Sequence, residues 1–126
     1  MNQTNTQENV ETNNVKNSYD WKANELVLWM DNTEELYNIK QVWIENYNKK
    51  INKGEFSYNL SIHGMDNLRK QIQRHYNKHF PEDTIKISKE ELRPICIALL
   101  ESILYGIWEI NEQHRETISY YIGLGK

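Results

Sequence analysis

His75 and His79 stand four residues apart, and they are the first side chains in this chain whose types and spacing could do chemistry. Residues i and i+4 of a helix share a face, so both imidazoles could reach one metal ion. A protein zinc site takes three or four ligands, and the sequence places neither Glu112 nor His114 beside the pair. Two histidines on a basic helix surface are the plainer reading, so no metal or other cofactor is expected. A second cluster is cationic. Lys70, Arg74 and Lys78 recur every fourth residue, with Arg69 flanking and Tyr58 and Tyr76 near them in sequence. Cations interleaved with aromatic rings hold phosphates and stack bases. Arg69, Lys70, Arg74, Lys78, Tyr58 and Tyr76 are therefore the candidate binding residues. Against this stands a solvated face, or one that pairs with the acidic face of a second copy.

The remaining reactive groups have structural explanations. Asp31, Glu34 and Glu35 resemble a carboxylate pair for acid–base work, but the first turn of a helix favours acids through its dipole. The single cysteine, Cys96, lies in an apolar run over 95–100 and reads as a buried, inert thiol. The 5 glycines form no GxGxxG loop, and there is no Ser-His-Asp order, Cys-His pair or metalloprotease motif. No residue is assigned to catalysis, and a non-enzymatic protein is expected.

Composition bounds the rest. A chain of 126 residues with 38% hydrophobic residues fits one domain, and 4 Trp and 8 Tyr can anchor its core or a binding surface. The four tryptophans are read as core, because apolar stripes usually face inward. One cysteine excludes an internal disulfide. The apolar runs fall short of a membrane span, and residues 1–18 have no signal-peptide core, so a cytoplasmic protein is expected. Charge is uneven: residues 20–45 carry six acids against two bases, and residues 49–78 seven bases against two acids. The overall pI near 5.8 argues against nucleic acid as partner.

These side chains must be positioned by helices. Residues 1–18 have too few apolar groups to fold and read as a disordered tail, with one helical domain over 19–126. The spacing predicts a first helix over 20–30 and, after capping signals at Asp31 and Asn32, a second over 33–52 ended by Gly54. Phe56, Tyr58, Leu60 and Ile62 alternate with polar residues, which suggests an extended segment or short strand. A third helix is expected over 65–79, closed by Pro81. Ile85 to Ile87 reads as extended, and Ser88 with Glu91 as a capping box followed by Pro94, so that either a short turn ends there or Pro94 sits in the first turn of the next helix. Residues 94–105 are apolar on nearly every face and should form the central helix, broken by Gly106. A last helix over 107–122 would turn Trp108, Ile110 and Ile118 inward. The fold class is all-α, a compact domain of four to five helices with room for one short β segment.

Residues 21–32, Trp-Lys-Ala-Asn-Glu-Leu-Val-Leu-Trp-Met-Asp-Asn, followed by Glu35-Leu36-Tyr37, resemble the opening of a family of small phage and plasmid proteins. Members often begin Trp-Thr-Asn-Tyr-Glu-Thr and continue to Leu-Trp, Asn-Asp and Leu-Tyr. Leu99-Leu100-Glu101 and Trp108-Glu109-Ile110 are similar to the family's closing Leu-Leu block and Trp-x-Glu-Ile segment. The chain departs at Lys22-Ala23, where Thr-Asn is usual, and at Leu26, where Thr is usual. The resemblance implies a mobile-element origin and no particular activity. It leads to the expectation of a phage-type accessory protein that binds and inhibits a host defence component. The alternatives are an oligomeric sponge for a nucleotide immune signal, using Arg69, Lys70 and Arg74, or a nucleic-acid-binding regulator.

Overall fold

The computed structural model describes residues 18–125. The expected tail falls outside them except for Ser18, which already belongs to a helix. Five helices follow in order: α1 Ser18–Asn32, α2 Glu34–Asn52, α3 Tyr58–His79, α4 Lys89–Ile110 and, after a 3-10 turn at Glu112–His114, α5 Arg115–Leu124. No strand occurs among the described residues, so the fold is all-α.

α1 runs two residues further than its apolar pattern suggests, to Asn32, and this displaces the expected caps. Asn32 donates its amide to the Leu28 carbonyl at 2.9 Å, and Asp31 accepts from Lys40 Nζ at 2.8 Å. Thr33, with φ −112° and ψ 114°, is the whole hinge between α1 and α2. α2 ends as expected near Gly54, whose φ of 71° lies in the left-handed region that glycine adopts without strain.

The alternation over 56–62 is overturned as a strand signal. Ser57 takes the N-cap, its hydroxyl accepting from Leu60 N–H, and α3 starts at Tyr58. Ser61, Ile62 and Met65 are buried while Leu60 is 72% exposed, which is helical spacing. Tyr58 and Ile62 are also i and i+4, so the sequence satisfied both periods, and no partner strand was available to favour the extended one.

The chain between α3 and α4 has no regular secondary structure at Ile85, which is buried. Its backbone is matched by a side chain rather than a strand. Asn77 Oδ1 accepts from Ile85 N–H at 2.7 Å, and the Asn77 and Gln73 amides both donate to Ile85 O at 3.0 Å. The carboxamides of α3 thereby satisfy a buried peptide group.

α4 opens at Ser88, whose N–H donates to Glu91 Oε1 at 2.8 Å. Pro94 lies inside the helix, just beyond its first turn, and α4 continues without a break through Gly106. The reason for that glycine is packing: a Cβ there would lie 2.4 Å from Ile44 Cδ1 of α2. The helix stops instead at Asn111, whose buried amide donates to Asn48 and Asn52 of α2. The axis then bends by 117°. α5 is held against α4 by Arg115, which stacks 4.5 Å from the Trp108 ring and donates to the Trp108 carbonyl.

α4 is the centre, touching each of the other four helices. Ile95, Leu99, Leu100, Ile103, Leu104 and Ile107 are fully buried, each contributing on the order of 1.5–3 kcal/mol of burial. Ile118 joins them, Trp108 is half-buried, and Ile110 is 60% exposed rather than inward because the helix ends there. No single helix among the described residues is long and apolar enough to cross a membrane.

Candidate functional site

The six candidate binding residues do not converge. Arg69, Lys70 and Arg74 do line one shallow groove on α3 with Gln73 and Asn77, and Arg74 and Lys78 line another with Glu35, Leu36 and Ile39 of α2. Arg69 is already committed: its Nε donates to Asp66 at 3.1 Å and a terminal nitrogen donates to Gln73 at 2.6 Å. Asp66 also pairs with Lys70 at 3.5 Å, and the Arg69 hydrogen bond holds its carboxyl below the usual carboxylate range. Arg74 and Lys78 have no ion-pair partner among the described residues.

Neither tyrosine joins the cations. Tyr76 is buried, meeting Trp29 edge-on at 5.6 Å and Phe80 at 4.7 Å, and burial pushes its hydroxyl pKa up. Tyr58 lies three turns N-terminal to Lys70, parallel to Tyr121 with centroids 6.2 Å apart. Burial and then Glu101 raise its hydroxyl pKa. Basic spacing was legible in the sequence; the direction of the rings was not.

His75 and His79 share a face as expected, but Trp29 occupies it. Trp29 Nε1–H donates to His75 Nδ1 at 2.9 Å, and its ring lies 5.0 Å from that of His79. His75 Nε2 faces Glu35 at 3.6 Å. Among the described residues no three His, Cys, Asp or Glu side chains are grouped to hold a metal ion. Cys96 is buried, and burial pushes its thiol pKa up, which disfavours the thiolate that nucleophilic chemistry needs.

Two surfaces outside the candidate residues are more distinctive. The first is the outer face of α1. Trp21 was expected in the core, yet it is 53% exposed, and Leu28 is 55% exposed. At 100° per residue these positions, seven apart, point the same way, and Ala23, Leu26 and Met30 point opposite into the core. Trp29 and Trp43 do pack against the core, Trp43 edge-on to Tyr47 at 5.6 Å. The crowding of apolar residues over 26–30 hid the outward pair, although the seven-residue spacing of Trp21 and Leu28 was there to be read.

The second surface is a trench of about 820 Å³ between α1 and the outer side of α4. Val27, Pro94, Ile97, Ala98, Ser102 and Gly106 line its apolar and small-residue parts, and Asp20, Glu101 and Glu109 supply acids. In comparisons with known proteins, no family model, no curated protein and no solved structure matches the chain.

Proposed function

We propose that the protein is a non-enzymatic accessory factor of the phage type that binds and inhibits a protein component of host defence, docking through the outer face of α1. The observation that carries this reading is the exposed pair Trp21 and Leu28. A single surface leucine is ordinary, whereas a half-exposed tryptophan with a leucine two turns away on one face is the anchor chemistry of protein interfaces. Asn24, Asp31 and Asn32, exposed around the pair, supply the polar rim that such an interface carries. The mobile-element origin implied by the residues of α1 and of the end of α4 supports the choice of partner.

The nucleotide-sponge reading has less support, because Arg69 is neutralised by Asp66 and Tyr76 is buried away from the cations. Affinity capture from the natural host, with the wild type and with Trp21→Ala/Leu28→Ala, tests the proposal. The wild type should retain one host protein and weaken the defence it serves, and the double variant should lose both effects while keeping its helical content. Absence of any retained protein together with intact defence would refute the reading.

A further inference from the structure

The trench and the basic ridge of α3 match each other in charge and in pitch. On α4, Glu101, Tyr105 and Glu109 follow one another at four-residue intervals along the trench. On α3, Lys70, Arg74 and Lys78 do the same, on the side opposite Leu68, Ile72 and Tyr76. Each series spans eight residues, about 12 Å at the helical rise. The trench holds three acids without an ion-pair partner among the described residues, Asp20, Glu101 and Glu109, against one such base, Arg93. Asp31 and Lys40 neutralise each other across its edge. The small side chains of Ala98 and Ser102 on the trench floor let another helix approach closely.

We infer that a second copy of this chain occupies the trench, laying its α3 ridge along Glu101, Tyr105 and Glu109. Lys78 meets one glutamate, Lys70 turns from its 3.5 Å pairing with Asp66 toward the other, and the Arg74 guanidinium lies over the Tyr105 ring, which is 45% exposed. The residues that precede α1 are the wrong occupant by charge, since they carry Glu8 and Glu11 against Lys16. Each copy presents both faces, so contact is either reciprocal within a pair or propagates from copy to copy. Trp21 and Leu28, the anchors of the α1 docking face, point about a quarter-turn away from the trench, and Asn24 and Asp31 border both surfaces.

Sedimentation velocity on the full chain tests it. The wild type should rise with concentration from 15.2 kDa toward multiples of that mass, and added salt should reverse the rise. Glu101→Lys/Glu109→Lys and Arg74→Glu/Lys78→Glu should each weaken self-association by about tenfold or more, with far-ultraviolet dichroism unchanged. Mixing the two variants should restore it, because each supplies the face the other has lost, and that rescue distinguishes a lost contact from a lost fold. A wild type that stays at one chain's mass at every concentration would overturn the inference. So would variants that associate as well as the wild type, or that fail to recover on mixing.

Discussion

Gly106→Ala is the substitution whose sign separates close packing from helix propensity. In an exposed helix interior this change gains about 0.5–1 kcal/mol, because glycine loses the most backbone freedom on folding. In α4 the new methyl group would lie 2.4 Å from Ile44 Cδ1 and 3.1 Å from Ile44 Cγ1. Ile44 is only 4% exposed, so it has no solvent to swing into. Overpacking of this kind costs about 1–3 kcal/mol, and the net expectation is a loss of about 1–2 kcal/mol. Ile44→Val removes Cδ1 at its own cost of about 0.5–1.5 kcal/mol. In that background Gly106→Ala should become neutral or stabilising. Urea denaturation of the four proteins gives the cycle, with an expected coupling of at least about 1 kcal/mol. Equal stabilisation by Gly106→Ala in both backgrounds would refute the argument that α2 and α4 are in closest contact here.

Three further outcomes follow from the packing and the surface. Glu91 has its carboxyl held below the usual range by the Ser88 N–H first and by Lys22 Nζ, 2.9 Å away, second. Its stabilisation is therefore present above the unfolded carboxylate value, about 4.3, and is lost as pH falls through the lower folded one. Melting curves across the acid range should accordingly show a shallower loss of stability for Glu91→Gln than for the wild type. Asn77→Leu leaves the buried N–H of Ile85 without its acceptor and should cost about 1–3 kcal/mol by thermal denaturation. Trp21→Ala should leave the melting temperature almost unchanged, since a side chain already half in water carries little of the core; a large drop would show that it packs.

How much of this was legible in the sequence depended on whether local pattern or tertiary contact decided the outcome. α2, α3 and α4 were readable because Leu36, Tyr47, Leu68, Ile72, Leu99 and Ile103 fall on buried stripes, and the central role of α4 followed from its being apolar on nearly all sides; the last helix, expected over 107–122, begins only at Arg115 because α4 runs on to Ile110. Ser88 with Glu91 is a local device and behaved as one. Boundaries failed where a distant residue intervened. Gly106 looked like a breaker because its reason, Ile44, lies 62 positions away in sequence. Asn111 looked like one polar residue among many because its partners Asn48 and Asn52 belong to another helix. The basic spacing on α3 was visible, but Asp66, which neutralises part of it, was counted only in the regional balance. The trench was invisible for a related reason: its walls come from α1 and α4, which are far apart in sequence and meet through tertiary packing and the Lys22–Glu91 ion pair.

The most direct test of docking through α1 is photocrosslinking in cells that contain the partner, with photoreactive benzoylphenylalanine in place of Leu28. Leu60, which is 72% exposed on the first turn of α3, is the control position. One host protein should be joined at position 28 and none at position 60. Adducts of equal yield at both positions, or at position 60 alone, would contradict it.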